Sequence, residues 1–332
     1  MKNRYLYISE VTDATHNLAL EEYALTHFSE GTIILLWQNA KTIVVGRHQN
    51  TMEEINQKYV DDHKITVVRR MTGGGAVYHD LGNLNYSIIT DNKGDETSQM
   101  KHLAAPLIDT LRQMGIDAEF SGRNDVVVDG KKVSGTAQRL YKNRILHHGC
   151  ILFDADLSAV SHCLNVDQAK FKSKAVKSVK SRVANIVDFL DCKVSMEEFK
   201  GRLSDNLIAS KNYQYLVLNE TDYANISEIK ISRYQNWNWN YGEAMATSIY
   251  NKVRYVGGKL EANVDVKEGK IARCKLLGDF MARCSVAEVE RRLQGCRYVY
   301  EDIVEALNGC HLSDYFGQIT KEEVVACICC RE

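Results

Sequence analysis

Two arginines and three glycines, in the run Arg69-Arg70-Met71-Thr72-Gly73-Gly74-Gly75, close an apolar stretch from Ile65 to Val68. Glycine lacks a Cβ, so such a backbone can turn tightly and bring N–H groups up to a ligand, while a guanidinium fork matches phosphate or carboxylate oxygens in pairs. The group suits an anion; a glycine-rich turn beside solvated arginines is the plain alternative. A second group follows in Asp125-Val126-Val127-Val128-Asp129-Gly130-Lys131-Lys132-Val133-Ser134-Gly135. Asp-Gly between strand-like runs signals a two-residue type I′ hairpin, which sets Val128 opposite Lys131, Val127 opposite Lys132 and Asp125 opposite Ser134. Asp125, Val127, Lys132 and Ser134 then project from one side, with a carboxylate diagonal to an ammonium. An exposed lysine on a hairpin is the alternative there. His147 and His148 are adjacent in a strand-like run and must point to opposite faces, so at most one lines a pocket; buried, hydrogen-bonded places are expected for both.

The elements that must position these groups can be read in order. Leu6 to Ile8 is a short strand, Asn17 to Phe28 a helix with one buried face, and Ile33 to Trp37 and Thr42 to Gly46 two strands. Met52 to Asp61 reads as a single helix, and Asn85 to Thr90 as the strand after the glycines. Met100 to Met114 carries helical spacing and stops at Gly115; Pro106 suggests a regular helix that begins near Ala104, with a kinked longer one as the alternative. Thr136 to Tyr141 and Arg144 to Phe153 form a hairpin around Lys142-Asn143, and Met196 to Ser210 is a helix. Lys259 to Val266 and Lys270 to Leu277 alternate around Lys267-Glu268-Gly269, and Ser285…Glu288 and Thr320…Glu323 are capping-box patterns.

Composition bounds the function. The formal net charge is −1 in 332 residues, so nothing global points to nucleic acid or to an anionic membrane, and any anion site must be local. No run approaches the roughly 20 apolar residues that span a bilayer, and Met1 to Ser9 is too short and polar for a secretory signal. Ten cysteines without a paired framework suit a reducing compartment, so a cytoplasmic location is expected. Cys327 and Cys330 form a CxxC with no second pair at zinc spacing, and structural thiols are expected.

The stretch RRMTGGGAVYHDLGNLN, Arg69 to Asn85, resembles the signature of the lipoate-protein ligase A family, a branch of the biotin and lipoate ligase superfamily. GRHQN at Gly46 to Asn50, SGRNDVVVDGKKVSGTAQR at Ser121 to Arg139 and HHG at His147 to Gly149 match in order, and the resemblance covers nearly the whole chain. It implies an α+β fold, with a large mixed-sheet catalytic domain over 1–243, a small α/β accessory domain over 244–332, and Trp237 to Gly242 as the junction.

The reaction implied is lipoate plus ATP giving lipoyl-AMP and pyrophosphate, followed by amide formation with a lysine of a lipoyl-domain acceptor, an E2 subunit or a glycine cleavage H protein. Lys132 falls on the lysine that holds both substrates. Arg70, Gly75, Ala76, Val77 and Tyr78 are implied for ATP; Arg70, Thr72, His79 and Arg139 for lipoate; and Asp125 for Mg2+. Gly46-Arg47 falls on a segment that closes on the site, and the basic run Lys170 to Arg182 on a loop that folds over the adenylate, with Ser178, Lys180, Ser181 and Arg182 its residues of interest. The chemistry needs fixed cations, because a carboxylate and a phosphate about 4 Å apart repel by roughly 4 kcal/mol at an effective dielectric near 20. The main alternative is an octanoyl or lipoyl transferase working through a cysteine thioester without ATP, for which Cys150 is the nearby thiol. A biotin ligase and a non-catalytic binding module are further alternatives.

Overall fold

The computed structural model describes residues 3–92, 96–122, 124–164, 182–241, 249–267 and 269–330. Strands β1 (Arg4–Ile8), β2 (Thr32–Trp37), β3 (Thr42–Val45), β4 (Thr66–Arg69), β5 (Val77–His79), β6 (Asn83–Asp91), β7 (Ala118–Ser121), β8 (Asp125–Val128), β9 (Lys131–Tyr141), β10 (Arg144–Leu152) and β11 (Gln214–Tyr215) build two sheets. The larger has the order β11-β1-β2-β6-β10-β9-β8-β7. It is mixed, since β1 runs parallel to β2 and β11 while β2, β6, β10, β9 and β8 alternate. The smaller, β4-β3-β5, carries the glycine run between β4 and β5.

Both faces of the large sheet are covered, which explains why β2 reads TIILLW rather than alternating with polar residues. Ile34, Leu36 and Ile88 pack on one side with helices Glu96–Gln113 and Met196–Lys211. Ile33, Leu35 and Leu146 pack on the other with helix Ala14–His27, which Asp13 caps by accepting from the Thr15 amide. The architecture is α+β.

Three local readings of the sequence are corrected. The helix expected from near Ala104 starts at Glu96 and runs through Pro106. Proline cannot donate to the preceding turn, yet the stripe Leu103, Ala104, Leu107, Ile108 and Leu111 is buried against the sheet, and that burial carries the helix past it. The helix expected from Met52 to Asp61 is two, Thr51–Glu54 and Gln57–Asp62. Ile55 breaks it by bridging to Leu164, and Asn56 donates to the Cys163 carbonyl while capping the second piece. Of the two capping boxes, the one at Thr320 forms. At Ser285 the helix starts at Ala287 instead, and Glu288 turns to the Tyr315 hydroxyl and Arg292.

The C-terminal part forms an antiparallel sheet of β12 (Ile249–Tyr255), β13 (Gly258–Lys267) and β14 (Lys270–Gly278). Helices Ala287–Leu293, Tyr300–Ala306 and Lys321–Ile328 pack with it around Leu260, Val264, Leu276, Val289, Ile303 and Val324. Gly242 of the expected junction and Glu268 of the expected turn lie outside the described residues. Among the described residues no helix is long and apolar enough to cross a membrane.

A seam joins this part to the glycine run. Gly74 N–H donates to the Phe280 carbonyl at 3.0 Å, Gly278 N–H to the His48 carbonyl at 2.7 Å, and Leu140 N–H to the Arg283 carbonyl at 2.9 Å. The His48 ring stacks on Phe280, and Lys259 reaches Glu54 at 2.7 Å. Glycine is required at 73 for this approach, because a Cβ there would lie 2.4 Å from the Ala282 nitrogen and 2.7 Å from the Phe280 oxygen. Gly73→Ala is therefore expected to lower stability by about 1–3 kcal/mol, as overpacking against backbone does. A denaturation midpoint equal to that of the parent protein would show that the seam is not this tight.

Candidate active site

Four residues paired across four strands make one row: Trp37 opposite Asn85, Asn85 opposite Cys150, and Cys150 opposite Gly135. Three strand spacings make the row roughly 14 Å long. Above it lies a cavity of about 350 Å³, walled by apolar groups that include Leu18, Trp37, Val44, Leu152, Val160 and Met281, with Lys132 beside Gly135 at the β9 end. Such a lining suits an apolar ligand with an anionic end beside the ammonium.

The hairpin carrying Lys132 has the expected Asp-Gly turn and its first two pairs, Val128 with Lys131 and Val127 with Lys132. It then departs from expectation. The register shifts at Val133, so Val126 pairs with Ser134, and Asp125 with Gly135 rather than Ser134. A bulge of this kind reverses which face the following residues take. Gly135 thereby shares the cavity side with Lys132, and Ser134 is turned away and fully buried. On its outer side the Lys132 backbone pairs with a third segment: its N–H donates to the Arg182 carbonyl at 2.8 Å, and its carbonyl accepts from Ala184 N–H at 3.0 Å. Lys132 Nζ lies 2.7 Å from Asp125 Oδ1.

The two arginines separate. Arg69 gives hydrogen bonds to the carbonyls of Gly46, Arg47, Gln49, Trp239 and Asn240 and to the Thr51 hydroxyl, which makes it a fixture of the fold. Arg70 lines the cavity, but it too holds backbone, donating to the carbonyls of Val44, Gly73 and Gly75 and to the Thr72 hydroxyl. Burial pulls its pKa down to about 10, so it stays charged at neutral pH and contributes field to the cavity.

Thr72 stands behind the wall. Its hydroxyl, which accepts from Arg70, lies 2.7 Å from His148 Nε2, and His148 Nδ1 donates to Glu21, whose carboxylate also accepts from Ser87. As expected, the two histidines split: His148 lines the cavity, and His147 faces the other side of the sheet beside Gln138. His79 also lines the cavity. Asn39 donates to its Nδ1 while offering its own oxygen to Asn17, so the neutral ring carries its proton on Nε2. Gly75, Ala76, Val77 and Tyr78 line the cavity too, and a Cβ on Gly75 would meet nothing within 4 Å, which leaves its backbone open to a ligand. Arg139 falls outside the lining; its guanidinium donates to the Met71 carbonyl. Arg123, Ser178, Lys180 and Ser181 lie outside the described residues, whereas Arg182 takes part through its carbonyl.

Cys150 sits in the floor, its sulfur accepting from Asn83 at 3.3 Å. Burial pushes its pKa up to about 12, so it is a thiol at neutral pH and a poor nucleophile. Among the described residues no three histidine, cysteine or acidic side chains converge to hold a metal. Asp125 offers a single carboxylate beside the Lys132 end. The wall residues Leu18, Trp37, Asn85, Val183 and Met281 were not singled out from sequence. Trp37 and Asn85 lie in strands that were legible, whereas nothing local marks Val183 or Met281.

Comparison with known proteins agrees with this geometry. Residues 13–208 match the family described as lipoyl protein ligase A/B catalytic domain, and residues 244–328 match bacterial lipoate protein ligase C-terminus. The chain is 45% identical over 317 residues to the lipoate-protein ligase LplJ of Bacillus subtilis (strain 168), covering 94% of this chain and 96% of that one. A bi-partite lipoate protein ligase from Thermoplasma acidophilum, solved in a study of an archaeal lipoylation system with its E2 lipoyl domain, superimposes with a TM-score of 0.67 at 29% identity. That alignment covers 75% of this chain and 100% of the other. A lipoate-protein ligase A crystallised with ATP gives a TM-score of 0.64 at 27% identity, over 72% of this chain and 99% of the other.

The buried histidines make stability depend on pH. Burial, followed by the Arg70 and His148 charges, holds His79 at about 3, and burial followed by the His148 charge holds His147 at about 3. The ordinary value for both is 6.5, so below that pH the unfolded chain takes up protons that the folded chain refuses. Their effect is absent above about pH 6.5. As pH falls toward 5, each is expected to remove stability at up to roughly 1.4 kcal/mol per pH unit. Urea denaturation at pH 7.5, 6 and 5 checks this, and a flat profile would show that the two rings are not held neutral.

Proposed function

The chain belongs to the lipoate-protein ligase family, and from that premise we propose that it activates free lipoate with ATP and passes the lipoyl group to a lysine of a lipoyl-domain protein. The observation that carries this reading is the apolar cavity laid across four strands with the Lys132 ammonium at one end. In the first half-reaction a lipoate carboxylate oxygen attacks the α-phosphate of ATP, giving lipoyl-AMP and pyrophosphate. In the second, the ε-amine of the acceptor attacks the acyl carbon, an amide forms, and AMP leaves. The relative crystallised with ATP supports the nucleotide, and the Thermoplasma ligase studied with its E2 lipoyl domain supports the acceptor class. We extend that class to glycine cleavage H protein.

Lys132 is assigned to both substrates: it relieves the repulsion between carboxylate and phosphate and stabilises the charge that develops in the transition state. Gly75, Ala76, Val77 and Tyr78 are assigned to the nucleotide, and His79 to the cavity wall around lipoate. Arg70 adds positive field while bracing the loop, and Thr72 acts through His148. Arg139, outside the cavity lining, is assigned a bracing contact with Met71 rather than contact with the acid. Asp125 is a fitting single ligand for Mg2+, which commonly keeps its waters and takes its other ligands from phosphates, and it would supply charge neutralisation there. We place the catalytic domain at 1–243, the accessory domain at 244–332, and the enzyme in the cytoplasm.

The thioester alternative requires an activated thiol. Cys150 is held protonated by burial, and the neighbouring His148 is engaged by Thr72 and Glu21.

Mass spectrometry of an apo lipoyl domain incubated with the protein, lipoate and ATP should show lipoylation that disappears when ATP is omitted. Modification without ATP would discard the reading. Lys132→Ala is expected to slow pyrophosphate release about 10²- to 10³-fold, as removal of one preorganised electrostatic partner does; near-normal release would remove Lys132 from its role. Cys150→Ser should retain full ATP-dependent activity, and a dead variant would revive the thioester route.

A further inference from the structure

The placement of Lys132 depends on a neighbour that carries no side chain. Gly135 pairs with both Asp125 and Cys150, where the cavity row meets the ammonium. A Cβ on Gly135 would lie 2.6 Å from Lys132 Nζ, 2.7 Å from Lys132 Cε and 3.8 Å from Asp125 Oδ1. Glycine is not needed there for backbone reasons, since Gly135 is not among the residues with positive φ. Its vacancy is filled by the end of the lysine. We propose that Gly135 is a positioning residue for acyl activation: the space its missing side chain leaves is the seat that holds the Lys132 ammonium at the head of the cavity.

The inference rests on the role proposed for Lys132 and extends it to what fixes that side chain. A lysine stem is long and rich in rotamers, and its pairing with Asp125 is part-exposed, with both side chains about one-third accessible. An ion pair of that exposure is a weak clamp. The strand backbone under the Gly135 vacancy adds the missing boundary and the bulge brings that vacancy to the lysine's side, so the ammonium is confined before either substrate arrives. Alanine at 135 would push the ammonium outward by about 1 Å to reach ordinary van der Waals separation. A shift of that size in a reacting constellation lowers rates by up to about a hundredfold.

Gly135→Ala, Lys132→Ala and the double variant are compared in pyrophosphate release from lipoate and ATP, with the crystal structure of Gly135→Ala as a readout independent of activity. The expected result for Gly135→Ala is an unchanged melting temperature, since its Cβ meets only the tip of a flexible side chain. Its kcat should fall about ten- to a hundredfold, with KM for lipoate changed by less than about threefold. Lys132 Nζ should be displaced by about 1 Å from its parent position in its structure, and the double variant should be no slower than Lys132→Ala alone. A kcat within about twofold of the parent, an additive loss in the double variant, an unmoved Lys132 Nζ or a failure to fold would each overturn the proposal. A parent protein that released no pyrophosphate would instead overturn the lipoate reading, and the position of Nζ in Gly135→Ala would still decide the seat.

Discussion

Lys132 Nζ stands 2.7 Å from Asp125 in a chain of nearly balanced charge, at the end of a cavity whose other walls are mostly apolar. A point charge beside a low-dielectric hollow acts over a longer reach than the same charge in water, so its position makes one end of the cavity attractive to an anion. Other features serve that position. The bulge at Val133 brings Gly135 onto the cavity side with Lys132, the Lys132 backbone pairs with Arg182 and Ala184, and Gly135 leaves room for the ammonium. The sheet does the rest by laying Trp37, Asn85, Cys150 and Gly135 in register across four strands.

Positive charge elsewhere in the site has a different duty. Buried guanidiniums need many acceptors, and in both Arg69 and Arg70 these are largely backbone carbonyls of the segments that shape the cavity. Each arginine adds further ties between segments that also meet through backbone and side-chain contacts, and a loop tied by charged donors is stiff. The field of Arg70 remains available at the cavity while most of its hydrogen bonds are taken by the loop. The chain Arg70, Thr72, His148, Glu21 extends the same bracing into helix Ala14–His27, so the glycine run and the first helix move as one body.

Much of this was legible in the chain. Asp129-Gly130 announced the hairpin and its first two pairs, and the adjacent histidines announced their opposite faces. The bulge was not legible, because nothing within Lys132-Val133-Ser134 distinguishes it from a regular ladder. Arg69 and Arg70 are alike as letters, and only the carbonyls gathered around each reveal fixtures where a free anion clamp was read. Pro106 misled for the complementary reason: a local rule favoured a helix start, and burial of the apolar stripe around it overrode the rule.

The glycine triplet shows how one motif can serve two masters. Gly73 has no room for a side chain because the backbone of Phe280 to Ala282 lies against it, and the Gly74 N–H is taken by the Phe280 carbonyl, with Gly74 at a φ of +92 that suits glycine. Gly75 faces open space. Two of the three glycines are thus explained by contact with the C-terminal part, and the third keeps the properties that suit an anion. Because Met281 comes from that same contact and lines the cavity, the cavity wall and the seam between the two parts are one surface. Loosening the seam by even a few tenths of an ångström would move Met281 and the Gly74 backbone together, so the chemistry of the pocket is physically coupled to how the C-terminal part is seated.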